Sequence, residues 1–142
     1  MINKKVRNAT VVEYSGIKFK SKMEVSVYKT LITNGFKPEY ESKKFVLIKG
    51  FKPTVQFYVP NKYKELIRVT KKVIDITYTP DFIVYIDEVL IVIEVKGQPN
   101  DIYPLKRKLF MKYMEESNIP MMFFEIHNMK QLYKTIEIIK KI

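Results

Sequence analysis

The sequence predicts one α/β domain of the α+β kind, with a central mixed β-sheet flanked by helices. Three observations predict it. Two short apolar runs rich in β-branched residues, Tyr78 to Ile86 and Val89 to Gly97, are separated only by Asp87-Glu88, as expected of adjacent strands buried on both faces. Amphipathic helical stretches lie before and after them, bounded by Gly and Pro breaks. At 142 residues, 46% of them hydrophobic, the chain is long enough for one real core and too short to expect two domains.

The elements follow in order. Met1 to Tyr14 reads as a short basic arm leading into a strand or loop. Ser21-Lys22-Met23-Glu24 has the form of a capping box, and the helix it opens runs to Asn34 with Gly35 as its left-handed stop. Lys44 to Ile48 is a strand. Residues 51–70, with Pro53, Pro60 and several lysines, read as a hairpin or lid-like insertion. The two central strands come next, and Gly97-Gln98-Pro99-Asn100 breaks the chain. Pro104 opens a helix through about Ser117, with Leu105, Leu109, Phe110, Tyr113 and Met114 as its apolar face. Lys106, Arg107, Lys108 and Lys112 form its basic face. Met121 to Ile126 is a last strand, and Asn128 caps a helix reaching Ile142. The whole chain, 1–142, reads as a single domain with 1–14 as the arm and 51–70 as the insertion.

Asp81, Glu94 and Lys96 are out of place in so apolar a setting, because a charge at the end of a buried strand is costly unless paired or bound to metal. If Asp87-Glu88 is a two-residue hairpin turn, Asp81 lies directly across from Glu94, their Cβ atoms roughly 4.5–5.5 Å apart. Lys96 then projects to the same face, while Val95 points the other way. Opposed carboxylates repel, and a divalent cation between them turns repulsion into coordination. Asp-Glu is not a favoured turn pair, and a longer loop would offset the register. Each residue also has an ordinary reading: Thr79-Pro80-Asp81 as a turn, Glu94 with Lys96 as a solvated pair at a frayed strand end. Taken together, the three favour a metal site.

Composition narrows the chemistry. No cysteine is present, which excludes disulfides, thiolate zinc sites and cysteine nucleophiles. His127 is the single histidine, which argues against a histidine zinc site or a Ser-His-Asp triad, and it reads as a strand-end surface residue. A metal must be held by oxygens, which points to Mg²⁺ or Mn²⁺. A net charge of +11 attracts polyanions, with nucleic acid the default partner and an anionic membrane surface or acidic protein the competitor. No apolar run approaches the roughly 20 residues of a spanning helix, and the N-terminus lacks a secretory apolar segment. The expected location is therefore the cytoplasm.

Pro80-Asp81, Glu94-Val95-Lys96 one hairpin later, and an upstream helical Glu24 resemble the PD-(D/E)xK nuclease superfamily. The resemblance spans roughly Phe19 to Phe124. Lys22-Met23-Glu24 and Tyr78-Thr79-Pro80-Asp81-Phe82 are similar to Holliday-junction resolvases of the phage endonuclease I type, and Val95-Lys96-Gly97 followed by Ile102 to Phe110 looks like small phage-encoded members. The resemblance implies a restriction-endonuclease-like core, Mg²⁺- or Mn²⁺-dependent hydrolysis of DNA, and branched DNA among the substrates. For a phage protein the location is the host cytoplasm, and cutting two opposed strands of branched DNA would call for two active sites, hence a homodimer on DNA. The resemblance assigns Asp81, Glu94, the Val95 carbonyl and Glu24 as metal ligands, and Lys96 as the residue that orients water and stabilises phosphate charge. Glu24 has a competing role as helix cap. Lys106, Arg107, Lys108 and Lys112 would hold the DNA backbone, or would form an ordinary solvated helix face. The rival reading is a non-catalytic nucleic-acid-binding protein that keeps the nuclease-like fold.

Overall fold

The structure, a computed structural model, describes residues 10–97 and 100–142. The chain divides into two compact units, one of residues 1–44 with 79–142 and one of residues 45–78. Residues 1–9 of the expected arm, and Gln98 and Pro99 of the expected break, lie outside the described residues.

In the first unit, β1 (Val12–Tyr14) and β2 (Ile17–Phe19) form a hairpin that leads into α1 (Lys22–Thr33). The Ser21 hydroxyl caps α1 by accepting the Glu24 N–H at 3.2 Å. At the other end Gly35 takes φ 86°, where a β-carbon is disfavoured. Its N–H bonds the Ile32 carbonyl and the Phe36 N–H bonds the Leu31 carbonyl, each at 3.0 Å. This is the Schellman closure expected of a glycine stop.

The unit's main sheet is built from β3 (Glu39–Tyr40), β8 (Phe82–Ile86), β9 (Val89–Val95) and β10 (Met121–Ile126), in the order β10-β9-β8-β3. β9 and β10 are parallel and the other neighbours antiparallel, so the sheet is mixed, as the sequence predicts. Phe82 opposes Ile93 and Ile86 opposes Val89, which leaves Asp87-Glu88 as a two-residue turn. Asp87 adopts φ 51°, the positive φ that such turns need at their first position. Asp visits this region more readily than most side chains, which is how an unfavoured pair still makes the turn.

α2 (Tyr103–Glu116) and α3 (Met129–Ile139) complete the unit. One face of the sheet is buried by α1 and α3: Val27 and Leu31 from α1 and Leu132, Ile136 and Ile139 from α3 join Phe82, Val84, Ile91 and Ile93 in one cluster. Each such side chain contributes about 1.5–3 kcal/mol when fully buried. On α2, Phe110 meets Phe123 of β10 edge to face at 5.8 Å, and Phe123 pairs in register with Val92 rather than with a member of that cluster. α2 therefore covers the opposite face.

Three expectations need correction. The run beginning at Tyr78 is not one strand: β7 (Ile76–Tyr78) ends there and β8 starts at Phe82, with Pro80, which has no N–H to pair, in the gap. Leu105 is exposed, since the buried stripe of α2 runs through Tyr103 and Phe110, two turns apart. α3 stops at Ile139, the last residue packed on the core, while Ile142 is exposed.

The second unit pairs β4 (Phe45–Ile48) with β7 antiparallel through a bulge between Val46 and Ile48. Gly50 fits there because a β-carbon would collide with the Val73 carbonyl, and its N–H donates to Asp75 Oδ1 at 2.6 Å. Between them, β5 (Tyr58–Pro60) and β6 (Leu66–Arg68) form the hairpin expected within 51–70. Within this unit Phe45 and Tyr78 are buried and every other residue is at least partly exposed. Among the described residues no helix is long and apolar enough to cross a membrane.

Candidate active site

Glu24, Asp81 and Glu94 are 5–7% exposed, and they are the buried charged residues among those described. Asp81 stands just before β8, Glu94 near the end of β9, and Glu24 in the first turn of α1. The hairpin register carries Asp81 opposite Glu94, and the backbone ties them reciprocally. The Asp81 N–H donates to Glu94 Oε2 at 3.2 Å, and the Val95 N–H donates to Asp81 Oδ2 at 2.8 Å. Lys96 follows on the Glu94 face, its Nζ 3.3 Å from Glu94 Oε1. That ammonium also sits over the Tyr103 ring, 3.8 Å from its centroid, where the negative face of the ring attracts it.

Glu24 is held by a residue the sequence reading passed over. Tyr40 donates its hydroxyl to Glu24 Oε2 at 3.0 Å, and its ring lies 4.6 Å from Phe19 and 5.3 Å from Phe82. The aromatic cluster thus fixes the tyrosine, and the tyrosine fixes the carboxylate. Ser21 supplies the capping half of the expected box, while the Glu24 side chain turns toward Tyr40. Lys20 pairs with Glu41, whose own N–H donates to the Asp81 carbonyl at 2.8 Å.

Electrostatics follow from burial. Desolvation, reinforced by the charges of Glu94 and Glu24, pushes the Asp81 carboxyl up to about 8. Burial likewise raises Glu24, against the opposing hydrogen bond from Tyr40 and the charge of Lys20. Burial by itself would lower Lys20, but the bond to Glu41 and the charges of Glu41, Asp81 and Glu24 prevail and raise it. Negative charge is therefore in excess at the centre.

Next to this centre is a second cluster. Glu125 on β10 pairs in register with Glu94 and accepts from Tyr103 Oη at 2.7 Å, Arg107 Nη1 at 2.9 Å and His127 Nε2 at 2.8 Å. Partial burial works to raise its carboxyl, but these three donors outweigh it and hold the group at about 2. His127 is exposed just past β10, as expected. The basic residues of α2 do not form one face, because successive helical positions step around the axis. Arg107 is engaged by Glu125, Lys112 pairs with Glu116 at 3.1 Å, Lys108 is exposed and Lys106 is half-buried.

Among the described residues no three Asp, Glu or His side chains already converge as a finished metal cage. The donor set nonetheless fits a hard divalent cation. It consists of oxygens and it is buried, and burial together with the neighbouring carboxylates raises Asp81, an imbalance a cation would relieve. Of the residues missed, Tyr40 had no local signal, since its role depends on packing 16 residues away from Glu24. Glu125 carried a faint one, as a carboxylate inside an apolar strand.

An α+β protein with buried carboxylates and a lysine at the ends of its central strands is the class these features define. Residues 4–130 match the family described as a protein of unknown function, DUF1064, and the chain belongs to it. No curated protein and no solved structure matches the chain.

Proposed function

We propose that the chain is a metal-dependent DNA endonuclease with a restriction-endonuclease-like core, a small member of the PD-(D/E)xK superfamily that prefers branched DNA. One observation carries the reading: Asp81 and Glu94 face each other, buried, with Lys96 on Glu94, in a chain of net charge +11. Asp81, Glu94 and the Val95 carbonyl would hold Mg²⁺ or Mn²⁺, with Glu24 alongside. When bound, such an ion lowers the pKa of water and polarises a phosphoryl oxygen. Lys96, steadied over Tyr103, places an ammonium beside Glu94 where phosphate charge would develop. Tyr40 fixes the Glu24 carboxylate through its hydroxyl. The primary test is nicking of supercoiled plasmid with Mg²⁺ or Mn²⁺ and its loss in EDTA. Nicking that persists in EDTA overturns the metal-dependent mechanism. The rival reading is a nucleic-acid-binding protein that does not cut, and binding without any nicking would establish it.

DNA affinity should fall steeply with salt, each phosphate contact adding a slope of about −0.9 in log K against log salt. Replacing Lys106, Arg107 and Lys108 together should flatten that slope by about 0.9 for each of them that meets a phosphate, and weaken all duplex sequences about equally. Fluorescence anisotropy across a NaCl series measures it, and an unchanged slope would place the phosphate track elsewhere.

Recognition by backbone shape suits a chain without a recognisable base-reading module, and cutting two opposed strands calls for a symmetric dimer. Four-way junctions and flaps should therefore be cut faster than linear duplex, with dimers on DNA. Gel assays at matched salt decide it, since equal cutting of junction, flap, single strand and duplex, or sharp cleavage at one duplex sequence, defeats the branched-DNA preference.

A further inference from the structure

The unit of residues 45–78 displays its large side chains instead of burying them. Phe51, Phe57, Tyr58 and Tyr63 are 52–69% exposed, and Val55, Leu66 and Ile74 are 66–80% exposed. Exposed apolar surface on this scale marks an interaction site in a soluble protein. The unit is also basic, with seven lysines and arginines against Glu65 and Asp75.

Both features are organised in the β5–β6 hairpin. Tyr58 lies directly opposite Arg68, so an aromatic ring and a guanidinium share one face of the ribbon. The tip is braced: Asn61 Oδ1 accepts the N–H groups of Tyr63 and Glu65 at 2.9 and 3.0 Å, and the Asn61 carbonyl accepts the Lys64 N–H at 3.0 Å. Lys64 holds φ 62° to close the turn. The bracing presents Tyr63, 69% exposed, between Lys62 and Lys64, with Lys62 Nζ 5.0 Å from the ring centroid. A loop closed by its own hydrogen bonds thus holds an exposed aromatic ring between two lysines in sequence, with one ammonium close to the ring.

We infer that this hairpin is a binding site for unpaired nucleotides, in which Tyr58 and Tyr63 stack on bases while Lys62, Lys64 and Arg68 hold the adjoining phosphates. Charge complementarity selects a polyanion, and the exposed rings select one whose bases are open. A duplex hides its base faces, so it offers such rings nothing beyond its phosphates. Stacking of this kind is sequence-tolerant because every base has a π-face. The site does not depend on the cleavage reading and operates without a divalent ion.

The test uses the full chain in EDTA, with a fluorescein-labelled oligothymidine of about 20 nucleotides and a blunt duplex of equal length as probes. Tyr58→Ala with Tyr63→Ala should weaken oligothymidine binding by about 30-fold or more and leave duplex binding unchanged. Tyr58→Phe with Tyr63→Phe keeps the rings and should bind as the parent does. The chain has no tryptophan, so Tyr63→Trp introduces a single reporter whose emission stacked bases should quench. Full affinity in the double alanine variant, an equal loss for duplex, or unquenched emission in a saturated Tyr63→Trp complex would each overturn the assignment. Because no cleavage is scored, an inactive nuclease site leaves the result intact.

Discussion

Asp81→Asn and Glu94→Gln are each expected to abolish Mg²⁺- or Mn²⁺-dependent nicking, a loss of at least about 10²–10³-fold, because each removes a charge aimed at the reacting centre. Both substitutions keep shape and hydrogen-bonding reach. An Asn at 81 still accepts the Val95 N–H, and a Gln at 94 still accepts the Asp81 N–H, so the fold stays closed. Lys96→Ala should lose much of the rate while metal binding survives, since the ammonium contacts Glu94 without belonging to the oxygen set. Plasmid nicking with Mn²⁺ as the permissive ion, alongside circular dichroism of each variant, measures the effect. Undiminished cutting by a folded Asp81 variant would remove the carboxylate pair from the mechanism.

The same substitution should do the opposite to stability. Asp81 has its carboxyl raised from 3.8 to about 8, mainly by burial and then by Glu94 and Glu24, so the folded protein favours the protonated form. A group shifted upward supports folding fully below its ordinary value, and that support is lost as pH rises toward the shifted one. Ion-free protein should therefore lose stability through Asp81 between about pH 4 and pH 8. Asp81→Asn carries no such penalty. Its melting temperature should equal the parent's near pH 4 and exceed it by about 5–10 °C near pH 8, as expected for a few kcal/mol in a chain this size. Mn²⁺ should narrow the gap by raising the parent alone. Thermal melts across that pH range in EDTA check it, and a gap that is constant with pH would show that Asp81 titrates normally.

The centre of the fold was legible because its signals are local. An apolar strand pair with two residues between them fixes a register, and that register carries Asp81 across from Glu94. Ser21, Gly35 and Asn128 announced their helix ends because caps are made within a few residues. What stayed hidden is what other segments supply. Tyr40 acquires its role only when Phe19 and Phe82 close on it, and Tyr103 only when β10 brings Glu125 to its hydroxyl. The basic run at 106–108 looked like one face in the sequence, whereas helical geometry spreads it around the axis and Glu125 claims Arg107. Residues 51–68 read only as a hairpin or lid-like insertion for a related reason, because a stretch that buries so little lacks the periodicity that burial imposes.

The turn at Asp87-Glu88 sets a limit on how such a chain can diverge. Side chains alternate along a strand, so lengthening this turn by one residue would slide one strand of the pair and send Asp81 to the face opposite Glu94. The turn is a surface loop, the usual place for insertions, yet its length fixes the register that sets Asp81 across from Glu94. Drift in composition is cheap there and drift in length is not.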